Sequence, residues 1–271
     1  GLAEIATYAD AIGADLRVLL SESGASTGVT QAAKDAGLEV HAWTLRRENA
    51  FLPARLRSAG GEGAAGDLAP HTGTAYFLDF ETIGFGVPIW KGTRPYQQLP
   101  FQFSLHIVSA NGEIAHHEFL DLSGEDPGEA FARALIDHCG TAGPVFVYNA
   151  GFENRIMREL ATRFPSLGPD LHAIIDRVVD LLPIARKRYY HPDQHGSWSI
   201  KVVLPAVCPD LSYGTLDGVQ DGQAAQAAFL EAMAPDTSSE RKAEIEQQLL
   251  AYCELDTLAM VRMWEFFRGD A

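Results

Sequence analysis

The sequence predicts an α/β protein in which a mixed sheet carries helices on both faces, preceded by a separate β-α-β piece. Three observations predict it. Apolar strand-like runs joined by a hairpin turn come first in the larger region, strand and helix patterns alternate after them, and a glycine-rich stretch sets a smaller region apart at the front. With 271 residues, 46% of them hydrophobic and 21% charged, the chain is long enough for one large core or two modest ones.

In the front region, an alanine-rich helical start leads to a strand predicted around Arg17 to Leu20. A helix from Thr27 to Ala36 follows, with Gly37 as its stop, and then a strand from Leu38 to Thr44. Residues 1–57 form this β-α-β segment, and a unit of that size has little core of its own. Residues 58–73, rich in Gly, Ala and Pro, read as a linker.

Residues 74–271 open with the strand Ala75 to Phe80. Strands at Phe101 to Ser109 and Ile114 to Leu120 follow, joined by Asn111-Gly112, a strong hairpin signal. A helix from Pro127 to Cys139, a strand from Pro144 to Tyr148 and a helix from Phe152 to Phe164 come next. Beyond a mixed segment at Ile174 to Arg186, helices are predicted near Gln223 to Met233 and Ser239 to Phe267.

Thirty-six acidic residues against 21 basic ones give a net charge of −15, which counts against broad, non-specific binding to a polyanion. Any nucleic-acid role must rest on a local site. No run reaches the roughly 18 apolar residues of a membrane span, and the first residues lack a signal-peptide pattern, so the expectation is a cytoplasmic protein without a membrane partner. Cys139, Cys208 and Cys253 read as isolated thiols of a reducing compartment.

Strand alternation through Tyr76-Phe-Leu-Asp-Phe-Glu81 puts Phe77, Asp79 and Glu81 on one face. Two carboxylates there need either water or a cation. On the last helix, Ile245, Leu249, Tyr252, Asp256, Ala259 and Met263 share one stripe, so Asp256 interrupts an apolar face or lies wet at its edge. Glu153 follows Asn149 and Gly151 at a strand-to-helix junction, where a carboxylate gains from the helix dipole whether or not it has a further use. Phe85, Trp90 and Tyr96 alternate with Lys91 and Arg94, a composition suited either to stacking bases and touching phosphates or to an aromatic cluster folded on its own domain. Arg186-Lys-Arg188 with Tyr189 and Tyr190 reads as a solvated face or a phosphate contact, and Lys201 is a further candidate. His191 and His195 flank Pro192, which argues for a loop over a metal-binding helix.

In this order, Asp79-x-Glu81, Asn149-x-x-Phe152-Glu153 and Tyr252-x-x-x-Asp256 resemble the three motifs of the DEDD 3′→5′ exonucleases, in the ribonuclease H-like superfamily. The likeness spans about residues 74–268. Arg94 to His106 and Gly196 to Pro205 add a resemblance to the bacterial family catalogued as domain of unknown function 2779. The resemblance implies a ribonuclease H-like sheet and two Mg²⁺ or Mn²⁺ ions held by Asp79, Glu81, Glu153 and Asp256, with Tyr252 orienting the attacking water, Glu81 on the metal that carries it, and Asn149 beside the substrate. It also implies a nucleic-acid partner with a free 3′ end, single-stranded DNA or RNA. Ala251 stands where the histidine-type subgroup carries histidine, which favours the tyrosine type, and Glu153 is one methylene longer than the usual aspartate. Oxygen ligands suit these hard cations. The expected function is two-metal-ion 3′→5′ exonuclease activity; the alternative is a weak or inactive nuclease-like module for nucleic-acid or protein interaction.

Residues 1–57, through Ala36 to Arg46 and Glu48 to Pro53, resemble the C-terminal part of bacterial glycerophosphodiester phosphodiesterases, a TIM-barrel family. The piece is a truncated barrel without that family's catalytic histidines. A chain opening at Gly1 in the middle of such a pattern reads as a fragment or a fusion of unrelated halves.

Overall fold

The computed structural model describes residues 1–21, 25–43, 63–189 and 191–269. Two compact units, Gly1–Asp67 and Leu68–Ala271, make up the chain.

The first unit contains α1 (Leu2–Ile5), β1 (Ala11–Asp15), α2 (Leu16–Leu19), α3 (Val29–Asp35) and β2 (Glu39–Trp43), with α4 (Ala64–Leu68) running to the unit boundary. β1 and β2 pair in parallel, Ala11 opposite Glu39. The strand expected at Arg17 to Leu20 is therefore displaced: the pairing strand is Ala11–Asp15, and Leu16–Leu19 closes a helical turn instead. A strand is defined by its partner, and so short an apolar run is compatible with either state. Gly37, at φ +81°, ends α3 as expected. Leu38 N–H donates to Ala33 O and Gly37 N–H to Lys34 O, the Schellman closure that only a left-handed residue allows. Thr44 and the rest of the segment to residue 57, residues 58–62 of the expected linker and Tyr190 lie outside the described residues.

The second unit is built on β3 (Ala75–Gly84), β4 (Gln98–Val108), β5 (Ile114–Leu120), β6 (Val145–Val147) and β7 (Val178–Asp180). The sheet order is β5-β4-β3-β6-β7. β4 is antiparallel to β3 and β5, whereas β6 and β7 run parallel to β3, so the sheet is mixed as expected. Gly112, at φ +86°, turns the chain between β4 and β5, its N–H bonded to Ser109 O.

On one face Tyr76, Leu78 and Phe80 of β3 pack against α5 (Gly128–His138), α6 (Ala150–Arg163) and α7 (Gly168–Ile175). The mixed segment resolves into α7, β7 and α8 (Leu181–Arg188). The other face is covered by α9 (Ile200–Val207), α10 (Gly222–Met233) and α11 (Ser239–Arg268). There Trp264 of α11 meets Phe77 edge-on at 5.4 Å, and Gln102 Nε2 donates to Leu249 O at 2.7 Å. The ladder slips between Glu81 and Thr82. That bulge explains why Phe101 stacks on Phe229 of α10 while Phe103, two residues on, meets Phe131 of α5 on the opposite face. Bulges of this kind re-aim side chains beside functional sites.

Candidate metal centre

Alternation along β3 sends Asp79 and Glu81 to the α11 side, and the α11 stripe returns Tyr252 and Asp256 to the same place. Ile245, Leu249, Ala259 and Met263 of that stripe are fully buried, so Asp256, 5% exposed, lies within the face rather than at its edge. One carboxylate oxygen each from Asp79, Glu81 and Asp256 lies within 4.8 Å of the others. Among the described residues no fourth acid joins this trio at that distance. Glu153, in the first turn of α6, lines the same cleft of about 250 Å³. It is buried, and its Oε2 has no hydrogen-bond partner.

Burial is the largest influence on every carboxyl in the cleft. Burial, reinforced by the charges of Asp256, Glu153 and Glu81, holds the Asp79 carboxyl well above the usual carboxylate range. Burial and then the charge of Asp256 push Glu81 up to about 8, with Lys201 opposing. Burial likewise raises Glu153 to about 8. Asp256 rises only to about 6, because hydroxyl hydrogen bonds from Tyr213 and Tyr252 and the charge of Lys201 work against its burial. A site in which four acids each resist ionisation is one that a hard divalent cation relieves, and the orphaned Glu153 oxygen is a ligand atom in want of a partner. The residues fit such an ion.

Local structure holds these groups in place. Asn149 caps α6 in the left-handed region, φ +85°, and its N–H together with that of Ala150 donates to the two Asp180 oxygens, both at 3.0 Å. Asp180 also accepts from Leu182 N–H and so caps α8. Lys201, in the first turn of α9, donates to Tyr252 Oη at 3.0 Å and to Gln220 O at 2.9 Å. Tyr213 donates to Asp256 Oδ1 at 2.5 Å.

Asp79, Glu81, Glu153, Asp256, Tyr252, Asn149 and Lys201 all line the cleft. Phe85, Trp90, Lys91 and Arg94 do not; Phe85 and Trp90 pack on each other, whereas Tyr96 of the same stretch is 77% exposed. Trp90 is 8% exposed, meets Phe85 edge-on at 5.3 Å and donates its indole N–H to Gly124 O. A satisfied indole in the core has no face left for a base. Arg94 is paired with Glu159 at 2.9 Å, and Lys91 is exposed away from the cleft.

Sequence reasoning missed Tyr213, which sits in a 3-10 turn without periodicity, and Tyr148 and Met260, which with Phe152 of the second motif complete the walls. It also missed a second cluster, His106, His116 and Glu254. Those imidazoles stack at 4.5 Å with planes 28° apart, so their in-plane lone pairs run side by side rather than meet at a point. Ser104 and Thr257 hydroxyls bond them, and burial lowers His106 to about 4, which keeps it neutral as part of a structural network. Pro192–Gln194 is a 3-10 turn, as suits a loop, and the three cysteines are free thiols. No helix among the described residues is long and apolar enough to cross a membrane.

Residues 76–199 match a family model described as "Domain of unknown function (DUF2779)". The match takes in Asp79, Glu81 and Glu153 and ends before Lys201, Tyr252 and Asp256. The "Uncharacterized protein MG366 homolog" of Mycoplasma pneumoniae is 28% identical over 213 residues, covering 71% of this chain and 32% of that protein. The chain thus spans about a third of the length of the curated relative it matches. No solved structure matches. Through the strands of its sheet and α6, the first helix that reaches the cleft, the chain is similar to a family whose description names no activity.

Proposed function

We propose that the second unit is a metal-dependent 3′→5′ exonuclease that takes Mg²⁺ or Mn²⁺, two ions per site, and acts on nucleic acid with a free 3′ end. The carrying observation is the convergence of Asp79, Glu81 and Asp256 within 4.8 Å, with the unpartnered Glu153 oxygen in the same cleft. The order of the strands, with the second antiparallel, is that expected of a ribonuclease H-like sheet. Asp79, Glu81 and Asp256 would hold one ion, and Glu153 with Asp79 the other. Bound there, divalent ions would acidify a water and offset the charge of the phosphodiester and its departing 3′ oxygen.

The chain's own groups do the rest. Tyr252 accepts a hydrogen bond from Lys201 and donates its own to Asp256, and the oxygen's remaining lone pair would orient the O–H of a water beside Asp256. Phe152, Ile200 and Met260 add apolar surface to the cleft walls beside the acids. A cytoplasmic setting fits the three free thiols.

One observation favours a second reading, a weak or inactive interaction module. Lys201 already supplies a positive charge in the cleft, lowering Glu81 and Asp256 without any metal. Mn²⁺-dependent release of mononucleotides from 3′-labelled single strands, lost in Asp79→Ala, is the result expected of the nuclease. Binding of the same strands without release is the result expected of the module.

A further inference from the structure

β5 forms one edge of the sheet, with β4 as its neighbour. Ser109 N–H donates to Glu113 O at 2.9 Å and Asp121 N–H to Phe101 O at 3.0 Å, so the odd-numbered residues of β5 turn their backbone groups toward β4. Those of Ile114, His116, Glu118 and Leu120 therefore point outward. No backbone group among the described residues bonds them. The strand also lacks the usual guards of an edge, since its seven residues include no lysine and no proline and its ladder with β4 runs without a bulge. Ile114, Ala115 and Glu118 are exposed. Two ring stacks brace the strand, His116 on His106 at 4.5 Å and His117 on His138 of α5 at 4.4 Å, which makes the edge a fixed template.

We infer that a second copy of this chain pairs with β5 along this edge, antiparallel about a two-fold axis midway between the two His117 residues. Two identical edges related by a two-fold axis must run antiparallel, with residue i facing j and j facing i. Centred on His117, every residue of the strand finds a partner: Ile114 faces Leu120, Ala115 faces Phe119, and His116 faces Glu118 on each side of the axis. The outward backbone groups then fall opposite one another, because residues 114, 116, 118 and 120 pair only among themselves. The side chains favour the same register. Apolar residues meet at the ends, and between them an imidazole meets a carboxylate, a favourable cross-strand pair. Moving the axis one residue toward Leu120 would set Glu118 against its own copy, and like charges directly opposite are destabilising. Moving it one residue the other way would leave Leu120 facing Gly112 of the turn. The pairing is independent of the chemistry of the acid cleft.

The test is sedimentation of the full chain at concentrations from about 1 µM to about 1 mM, the range that resolves weak association. The mass should rise with concentration from 29.4 kDa toward twice that value. Glu118→Pro removes an outward N–H and spares the β4 ladder, because proline is tolerated where a strand edge faces solvent, and it should weaken association by about tenfold or more. Glu118→Lys keeps the backbone donor but places a lysine on the edge, and it should weaken association in the same direction. His117→Cys should cross-link two chains on oxidation with diamide, since the pair at the axis is not hydrogen-bonded and sets its Cα atoms about 4.5 Å apart, within disulfide reach. Ala115→Cys, which would face Phe119, should cross-link no more than the wild type. Circular dichroism and the Tm of each variant report whether it folds, and if Glu118→Pro does not, Glu118→Lys and the cross-link decide. A mass of 29.4 kDa throughout the range, with no cross-link in His117→Cys, would overturn the second copy as occupant and leave the edge to an extended segment of another protein. A dimer that persists in both Glu118 variants, or that cross-links equally through Ala115→Cys, would overturn the β5 pairing and put the contact on another surface.

Discussion

Lys201 Nζ donates to Tyr252 Oη at 3.0 Å and lies 4.8 Å from the centre of the same ring. One ammonium thus fixes the tyrosine by an edge and a face. It also lies 5.3 Å from the Tyr213 ring, so a single cation joins the two hydroxyls that serve Asp256. Its positive charge is the cleft's own partial answer to four crowded carboxyls.

Lys201→Met removes that charge while keeping an apolar stem. Metal-free protein at pH 8 should lose about 1–3 kcal/mol, because Glu81 and Asp256 are left without their nearest cation. Excess Mn²⁺ should recover most of the loss. Thermal unfolding with EDTA and with Mn²⁺ measures both, and equal losses in the two conditions would mean that Lys201 matters only as packing.

The raised carboxyls fix a direction for pH. Glu81 and Glu153, at about 8 when folded against 4.5 ordinarily, keep protons that the unfolded chain has already released. The folded state therefore binds more protons between about pH 4.5 and pH 8, and by linkage the stability of the metal-free protein falls as pH rises through that window. Divalent ions replace those protons, so the rise in Tm on adding Mn²⁺ should be larger at pH 8 than at pH 6, with protons released on binding. Calorimetry in two buffers of different ionisation heat counts them.

Much of this arrangement was legible in the sequence, for reasons tied to period. The two-residue period of β3 puts Asp79 with Glu81, and the spacing of Ile245, Leu249, Tyr252, Asp256 and Ala259 puts Asp256 on the apolar stripe or at its edge, a choice the packing of α11 makes. Where period fails, so did the reading. Tyr213 sits in a single 3-10 turn, and its partner is 43 residues further along the chain. Trp90 lies in an irregular loop, where composition alone cannot tell a base-stacking rim from a plug held by Gly124 O. The bulge at Glu81/Thr82, which turns Phe101 to the α10 side, depends on the pairing of two strands and leaves no mark in either one.

Gly143 marks a backbone requirement at the entrance to β6. Its φ is +91°, and an added Cβ would strike the Thr74 carbonyl oxygen, while Arg177 Nη1 donates to its own carbonyl at 3.0 Å. Gly143→Ala should cost about 2–4 kcal/mol and lower Tm by roughly 5–15 °C. Gly112→Ala, at φ +86° in open space, bears only the conformational part, about 1 kcal/mol. Comparable losses at the two positions would show that the close approach to Thr74 is not what demands glycine.

Tyr213→Phe tests whether the hydroxyl at 2.5 Å from Asp256 Oδ1 sets the proton affinity of the site. The ring stays, so the core it joins with Leu204, Phe229 and Leu249 is preserved. What is lost is a donor that favours the ionised carboxylate, and Asp256 should move up from about 6 by about one unit, the equivalent of 1.4 kcal/mol. At pH 6 the ionised fraction then drops about fivefold, and Mn²⁺ affinity falls by the same factor; by pH 8.5 both proteins carry the charge and bind alike. Titration of Mn²⁺ by calorimetry at the two pH values separates this from damage to the fold, which would weaken binding equally at both. Tyr252→Phe differs in kind, since it also strands the Lys201 ammonium, and its deficit should persist at pH 8.5.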